Sequence, residues 1–310
     1  MPTPLIVLII IVPLAVVFFF GFILYAYHAT FKRKKRSVDA SRDLGIDTFG
    51  VDLSALSEEL RNLPYEEVKI TSYDGLTLVG RYYRRYEDAP VHLLFHGYGS
   101  SPVHDFSASS MRGLYDGDNF LMVYQRAHGK SEGRSITFGY KESRDAVSWA
   151  NYLVEREGKD VRIILGGVSM GGATVLMASA LDLPKNVRCA IADCPYSTAK
   201  EAIMLTSGRL GFPPSLVYPF IWLSGRMFAG FDPNLASPVA SVKDAKIPLL
   251  VIQGEVDRVV PREMGDAIFE ARADGIEYHT FPDADHGMSC VVDLERYKKI
   301  VREFIAKYIR

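Results

Sequence analysis

Cysteine is scarce in this chain of 310 residues, which has only three, at positions 189, 194 and 290. The number is odd, the spacing is wide, and no C-x-x-C pattern occurs. This pattern argues against the disulfide framework of a small secreted domain and against a zinc cluster. We therefore expect reduced thiols.

Net charge is also nearly absent, because 36 Lys and Arg residues oppose 37 Asp and Glu residues and leave a formal charge of −1. Such a balance gives no reason to expect a nucleic-acid partner. The chain lacks internal repeats and low-complexity tracts, and no His, Cys and Asp residues have metal-ligand spacing, so a metal enzyme is disfavoured. With 48% hydrophobic residues, it can bury one large core or two small ones.

Charge is missing altogether from residues 5–27, which run from Leu5 to Tyr27. At about 1.5 Å per residue this run is long enough to cross a hydrocarbon core of roughly 30 Å. A cleaved signal peptide is the alternative, but residues 1–4 contain no basic side chain and the run ends without a small-x-small cleavage site. We predict an uncleaved membrane anchor within residues 1–36, in which Pro13 is tolerated.

The orientation of this anchor follows from five consecutive basic residues, Lys32 to Arg36, which come directly after the apolar run. No comparable cluster precedes it, so the positive-inside rule places the rest of the chain on the cytoplasmic side. The same cluster can contact anionic lipid. Residues 37–64 have a mixed, weak pattern that predicts a tether or a first helix.

Strand and helix patterns alternate through residues 65–310. Two strand patterns are joined at Asp74-Gly75, a strong hairpin signal. Short apolar runs predict six further strands, at 91–95, 120–124, 162–166, 187–192, 247–253 and 276–281. Helical patterns lie at 146–154, after the 162–166 run, at 261–273 and at 297–308. This order predicts an α/β domain with a doubly wound, mostly parallel sheet and helices on both faces.

One stretch, residues 194–243, interrupts the alternation. It has no strand pattern and is rich in aromatic side chains such as Phe220, Trp222 and Phe228. We predict a helical insertion that forms a lid over the carboxyl-terminal edge of the sheet, where open α/β folds bind ligands. A packing subdomain without a lid function is the alternative.

The sequence Gly167-Val168-Ser169-Met170-Gly171 lies between a predicted strand and a helix-prone run. Strand, G-x-S-x-G and helix in this order are typical of a nucleophile elbow, in which a tight turn presents a serine above the sheet. Strand and helix nearly touch there, which explains glycine at both flanking positions. A glycine-rich turn without chemistry is the alternative.

A serine hydroxyl needs a base and an orienting acid, and in this kind of fold they follow in the order serine, acid, histidine. Asp257 and His286 each follow a predicted strand in that order. Asp257 alone can be a helix N-cap, and His286 alone can be a solvent-facing loop residue. Glu255 and Asp285 are competing candidates for the acid, but the first lies two positions too early and the second is adjacent to the histidine.

The oxyanion of an acyl-transfer reaction needs two backbone amide donors. We assign one to Met170, directly after the candidate nucleophile, and one to Tyr98, in the loop after the 91–95 strand. His96 and His128 in the neighbouring loops are expected to brace these loops.

Five sequences together resemble the α/β-hydrolase superfamily: HGYGSS at 96–101, RAHGKSEG at 126–133, GVSMGG at 167–172, GEVDRVVP at 254–261 and DADHG at 283–287. The resemblance covers about residues 65–310. The chain as a whole is similar to membrane-anchored bacterial serine hydrolases near the monoacylglycerol-lipase and acyl-peptidase-like branches. It implies esterase, lipase or thioesterase chemistry through an acyl-enzyme on Ser169, without a cofactor. Ala127 stands where relatives often have glycine, which affects the geometry of that loop. The sequence shows no propeller domain of the prolyl-oligopeptidase type, which weakens a peptidase role without excluding it.

We therefore predict a membrane-tethered serine hydrolase that cleaves small-molecule carboxylic esters, with an acyl or otherwise apolar substrate. A serine peptidase or amidase is the alternative among enzymes. A catalytically silent binding module that retained the fold is the alternative from another class.

Overall fold

The computed structural model describes residues 3–33 and 49–309, with side chains described from Ile10 onward in the first helix. Within these residues one sheet of eight strands has the order β1-β2-β4-β3-β5-β6-β7-β8. The strands are Glu66–Thr71, Thr77–Tyr83, Val91–Phe95, Asn119–Tyr124, Ile163–Val168, Val187–Asp193, Leu249–Gly254 and Ile276–Phe281, numbered β1 to β8. β2 pairs antiparallel with β1 and β4, and the other pairs are parallel. The predicted mostly parallel sheet is confirmed.

Eleven α-helices lie in the described residues. They are Thr3–Thr30, Leu53–Asn62, Pro102–Met111, Glu142–Glu157, Met170–Ala178, Ala199–Arg209, Pro214–Ser224, Pro238–Ser241, Arg262–Ala271, Ser289–Val292 and Leu294–Tyr308, numbered α1 to α11. The helix α3 was not predicted. A π-helical turn, Gly225–Ala229, extends α7, and two short 3₁₀ turns, Pro233–Leu235 and Val242–Asp244, lie on either side of α8.

The central strands are buried on both faces, so their side chains alternate between two apolar layers. Leu93 faces the layer that contains Trp149 of α4, while its neighbour Leu94 faces the layer that contains Phe106 of α3. Helices α4, α5 and α9 cover the first face, and α2, α3 and α11 cover the second. The helices therefore lie on both sides of the sheet, as the sequence predicts.

The stretch 194–243, fully described, contains α6, α7, α8 and the short helical turns, and it contains no strand. It lies between β6 and β7. Its inner residues, including Tyr218, Ile221 and Phe231, join a third apolar cluster with Met170 and Phe138. The helical character predicted for this stretch is thus observed, whereas its role as a lid stays a prediction.

Helix α1 is the one helix, among residues 3–33 and 49–309, that is long and apolar enough to cross a membrane. Most of its described residues are exposed, with Phe18 at 75%. This distinguishes α1 from the core helix of a soluble protein, which passes the same test of length and composition. The anchor itself and its orientation remain predictions.

Parts of the predicted N-terminal organisation lie outside the described residues, namely Lys34, Lys35 and Arg36 of the basic cluster and residues 37–48 of the tether. The remainder of the 37–64 segment includes α2. Ser57 of α2 lies 3.0 Å, oxygen to oxygen, from Ser107 of α3, in a buried contact.

Candidate active site

Ser169 stands alone between β5, which ends at Val168, and α5, which begins at Met170. Its backbone has φ 55° and ψ −115°, a conformation that non-glycine residues adopt only under strain. A Cβ on Gly171 would lie 1.8 Å from the carbonyl oxygen of Phe95, and one on Gly167 would lie 2.2 Å from the backbone of Gly171. Strand and helix therefore approach too closely for any larger residue, which confirms the steric reason for both glycines.

The structure brings Ser169, Asp257 and His286 together, although they are far apart in the sequence. The Oγ of Ser169 lies 2.9 Å from Nε2 of His286, and Nδ1 of His286 lies 2.8 Å from Oδ2 of Asp257. A carboxylate only accepts hydrogen bonds, so Nδ1 donates to Asp257 and leaves the Nε2 lone pair facing the serine hydroxyl.

The carboxylate of Asp257 is fully buried and has four hydrogen-bond donors around it. Oδ1 accepts from the amides of Val259 and Val260, both at 2.8 Å, and Oδ2 accepts from the Gln253 side chain at 3.2 Å in addition to His286. Four donors stabilise an ionised acceptor in a fixed orientation. The two amides also belong to the turn before α9, so the carboxylate orders this turn as well as the imidazole.

Neither competing acid contacts the imidazole ring of His286. Asp285 forms an ion pair with the side chain of Arg258 and also accepts from the Arg258 and His286 amides. Glu255 accepts a hydrogen bond from the hydroxyl of Thr280 at 2.6 Å and lies 3.6 Å from Arg262. Asp257 is therefore the acid that bonds the imidazole, and Asp285 and Glu255 have other partners.

The two residues assigned to an oxyanion hole lie in segments that approach Ser169. Met170 is the first residue of α5, so its amide has no carbonyl partner within that helix. The 96–101 loop reaches the same place, because a Cβ on Gly97 would lie only 3.4 Å from the Cβ of Ser169. Tyr98 follows in this loop, and its hydroxyl donates to the carbonyl of Thr30, the last residue of α1, at 2.8 Å.

A buried carboxylate that the sequence analysis missed orders this loop. Asp105 of α3 accepts from the Gly97 amide at 2.6 Å and from the Ser100 hydroxyl at 2.5 Å. His104 lies 3.0 Å from the same carboxylate. The signals for α3 were present, since Ser101 caps the helix and Pro102 begins it.

His96 and His128 brace the loops around the site, and each is held as one neutral tautomer. His128 donates from Nδ1 to the carbonyl of Arg126 and accepts the Gly99 amide at Nε2, at 2.9 Å. His96 likewise donates to the Gly97 carbonyl and accepts the Gln125 amide. Burial lowers the pKa of His96, and it lowers the pKa of His128 to about 3.

Cys194 is a second feature that sequence reasoning left without a role. Its sulfur lies 4.0 Å from Nε2 of His286. Burial raises the pKa of this thiol well above its usual value, so it is protonated at neutral pH and is not a competing thiolate. All three cysteines lie in the described part of the chain, and they are free and buried.

Among the described residues, one group of three side chains could offer donor atoms to a metal ion. It consists of Cys194, Asp257 and His286, whose donor atoms lie within 4.8 Å of one another. The sequence spacing does not reveal this group. Both imidazole nitrogens already face other partners, the carboxylate of Asp257 and the hydroxyl of Ser169. The protonated thiol of Cys194 is also a poor metal ligand, so the group fits a hydrogen-bond relay better than a metal site.

Aromatic rings form a wall beside the loop that contains Tyr98. Tyr98 stacks on Phe138 with ring centroids 5.3 Å apart, and Phe138 also contacts Tyr196. Phe31, directly after α1, is fully buried between Phe138 and Phe231, at 5.8 and 5.5 Å. No pattern in the sequence indicates that the residue after the N-terminal helix contributes to this wall.

The sequence profile of the prolyl oligopeptidase family matches residues 135–310, which include Ser169, Asp257 and His286. The chain is 24% identical over 290 residues to the uncharacterised protein YqkD of Bacillus subtilis, covering 91% of each chain. It is 23% identical over 252 residues to the protein bem46 of Schizosaccharomyces pombe, covering 79% of this chain and 78% of that one.

Solved structures give the same fold. The Pyrococcus furiosus esterase Pf2001 superposes with a TM-score of 0.66 at 26% identity, covering 89% of this chain and all of that one. The acylaminoacyl peptidase of Pyrococcus horikoshii gives a TM-score of 0.58 at 19% identity, covering 81% of this chain and 43% of that one. The profile match covers more than half of the sequence, and the chain therefore belongs to the prolyl oligopeptidase family and is a serine hydrolase of the α/β-hydrolase fold.

Proposed function

We propose that this protein hydrolyses carboxylic esters through an acyl-enzyme on Ser169, with His286 as general base and Asp257 as the orienting acid. The observation that carries the proposal is the continuous hydrogen-bond chain from Ser169 through His286 to Asp257, with contacts of 2.9 and 2.8 Å. Each member has the orientation that its role requires, because the only nitrogen facing the serine is the unprotonated Nε2.

In this mechanism Nε2 of His286 takes the proton of the Ser169 hydroxyl as Oγ attacks the ester carbonyl carbon. The resulting imidazolium is stabilised by the buried Asp257 carboxylate, and the oxyanion is bound by the amides of Met170 and Tyr98. His286 then gives the proton to the leaving alcohol. A water molecule, deprotonated by His286, attacks the acyl carbon, and His286 returns the proton to Oγ of Ser169 as the acid leaves.

An apolar acyl group is the substrate part that fits the surroundings best. The wall beside Tyr98 consists of aromatic rings, among them Phe138, Tyr196 and the buried Phe31. A hydrocarbon chain that lies against such a wall removes its apolar surface from water. This burial stabilises the bound state by about 25 cal/mol for each Å². The insertion 194–243 contributes to the same apolar cluster, which supports its role as a lid.

Two of the similar structures and the family match bear on whether the substrate is an ester or an amide. The esterase from Pyrococcus furiosus is covered over its full length, whereas the acylaminoacyl peptidase is covered over 43% and at lower identity. The match to the prolyl oligopeptidase family favours the alternative, a peptidase or amidase.

We also propose that α1 is retained as a membrane anchor with the catalytic domain on the cytoplasmic side, as the basic cluster predicts.

Labelling with a fluorophosphonate probe tests the nucleophile, since the probe phosphonylates only activated serines. Detergent-solubilised wild type is expected to label, and Ser169→Ala and His286→Ala are expected not to. Glu255→Gln, whose side chain does not reach His286, is the matched control and should label like wild type. Labelling that survives Ser169→Ala would show that the nucleophile lies elsewhere, and a folded wild type that does not label would favour a silent binding module.

Acyl esters of increasing chain length, compared with aminoacyl amides, test the substrate class. We expect kcat/KM to rise with the length of the acyl chain. A protein that labels with the probe but cleaves only the amides would retain the proposed triad and overturn the proposed ester specificity.

A further inference from the structure

Helix α7 packs directly against α1 through aromatic side chains. The ring of Phe220 lies 4.9 Å from that of Phe22 and 5.8 Å from that of Phe19, both edge-on. Further along, Phe228 of the π-helical turn contacts Tyr27 at 5.5 Å. The contacts show that α7 lies beside the membrane-type helix, well before that helix ends at Thr30.

The level of this contact along α1 can be calculated from the helical rise of about 1.5 Å per residue. Phe19 and Phe22 lie eight and five residues before Tyr27, the last residue of the charge-free run, so they are about 12 and 7.5 Å inside that end of the run. Phe220 is therefore about 10 Å inside the apolar part of α1. If α1 crosses a bilayer, α7 lies at the level of the lipid and not beyond it.

The outward face of α7 is apolar, as contact with lipid requires. Its inner residues Tyr218 and Ile221 are buried against the hydrolase domain, whereas Leu216 is 68% exposed on the same face as Phe220, one turn away. Leu210 and Phe212 in the preceding turn are 69% and 45% exposed.

This surface is uncharged, and a basic residue lies at each of its ends. Residues 210–225 contain no charged side chain, and Arg209 and Arg226 flank them. An uncharged apolar surface is compatible with contact to lipid, and long basic side chains at its ends can extend to the headgroups. We call residues 210–224 the α7 surface.

We propose that the α7 surface is embedded in the same bilayer leaflet as the end of α1, so that the enzyme has two lipid contacts. The inference rests on the proposed function in one respect, namely that α1 is a retained membrane span. Phe220 fixes the depth of the surface, and Leu216 is about 6 Å from it along α7, so Leu216 stays within the apolar part of α1 whichever way α7 is inclined.

This placement also brings the lipid close to the candidate active site. The inner face of α7 belongs to the apolar cluster that includes Phe31, Phe138 and Met170, the residue next to Ser169. One layer of apolar side chains therefore separates the lipid beside α7 from the residue next to Ser169. The substrate class that fits is a membrane-resident lipid ester.

Site-directed fluorescence measures the depth of the α7 surface in the full chain. The three native cysteines are buried, so a single introduced cysteine can be labelled selectively with an environment-sensitive fluorophore. The variants are Leu216→Cys on the α7 surface, Phe18→Cys on the exposed side of α1, and Lys159→Cys, exposed before the amino end of β5 at the opposite edge of the sheet from Ser169. Each is reconstituted into vesicles of phosphatidylcholine and phosphatidylglycerol, with or without brominated acyl chains.

The proposal predicts blue-shifted emission that brominated lipid quenches at position 216 and at position 18, with no quenching at position 159. Quenching at 18 but not at 216 would overturn it, and so would a blue shift at 216 without quenching, which would show that protein and not lipid covers the surface. No quenching at 18 would remove the membrane span and the proposal with it. Fluorophosphonate labelling of the same samples reports separately on Ser169, so a failure of the proposed hydrolase chemistry is distinguished from a failure of lipid contact.

Discussion

Replacement of Asp257 by asparagine tests the proposed relay most sharply, because the two side chains have the same shape and differ in donor pattern. Oδ1 of Asp257 accepts two backbone amides, from Val259 and Val260, and Oδ2 accepts from His286 and Gln253. An asparagine keeps its oxygen toward the two amides, since the opposite orientation would set its NH₂ against two donors. Its NH₂ group then faces Nδ1 of His286.

That arrangement reverses the tautomer of the imidazole. A donor opposite Nδ1 requires Nδ1 to be the acceptor, so the proton moves to Nε2 and points at the Ser169 hydroxyl. Nε2 then has no lone pair with which to take the serine proton. In a serine triad this change lowers kcat by a factor of about 10⁴. Each factor of ten corresponds to about 1.36 kcal/mol, so the activation free energy rises by about 5.4 kcal/mol.

The assay is the hydrolysis rate of a short-chain p-nitrophenyl ester, with the rate of fluorophosphonate labelling as a second measure of the same nucleophile. Glu255→Gln is the control, because it makes the same carboxylate-to-amide change two residues earlier on a side chain that contacts Thr280 instead of His286. We expect it to stay close to wild type. An Asp257→Asn protein that is folded and retains kcat within about tenfold of wild type would refute the assigned role of Asp257.

Three further substitutions or conditions test the loops around the site. Tyr98→Phe removes the hydroxyl that bonds Thr30 but keeps the backbone amide, so kcat should fall by no more than about tenfold in the ester assay, and a complete loss would contradict a backbone role. Gly171→Ala should prevent accumulation of folded protein on size-exclusion chromatography, because its Cβ would lie 1.8 Å from the Phe95 carbonyl oxygen, and a stable variant would contradict this contact. Because His128 stays neutral in the folded state, with its pKa lowered from 6.5 to about 3, the unfolded chain binds more protons between these values. His128 alone should therefore lower the free energy of unfolding by about 1.4 kcal/mol per pH unit below 6.5, so between pH 7 and 5 the melting temperature of His128→Gln should fall less, or rise more, than that of the wild type.

The sheet and the elbow could be predicted because their sequence signals are local and strong. Strands such as β3 and β5 are buried on both faces, and their mostly apolar runs are bounded by glycine or polar loops. The glycines around Ser169 report a close approach of strand and helix that any sequence with this turn must satisfy. The three residues of the candidate relay follow strand ends that meet at one edge of the sheet, so their order alone indicated the group.

Helix α3 escaped prediction because its sequence, PVHDFSASSM, is rich in serine, and serine competes with the backbone for hydrogen bonds in a helix. Its capping residues were visible, but an apolar periodicity was not. The consequence was functional as well as structural, since Asp105 of α3 holds the loop that contains Tyr98. A carboxylate whose partner is a backbone amide eight residues earlier has no signature in composition or charge pattern.

The contact between α1 and the catalytic domain could not be predicted either, because a uniformly apolar helix gives no sign of which side faces protein. Ile23 and Ala26 are buried, although they belong to a run that reads as lipid-facing throughout. Beyond the helix, the Arg33 amide and the Phe31 carbonyl pair with the backbone of residues 134 and 136, and the Arg33 guanidinium donates to carbonyls of the 128–131 turn.

These contacts bear on the choice between an anchor and a signal peptide. A signal peptide leaves the mature protein, so its side chains have no reason to complete the core of the domain that it precedes. Removal of α1 would uncover the apolar surface against which Ile23 and Ala26 pack, and it would take away the Thr30 carbonyl that Tyr98 bonds. The end of α1 thus contacts the loop that contains Tyr98 and contributes to the aromatic wall, which supports the proposal that the helix is retained.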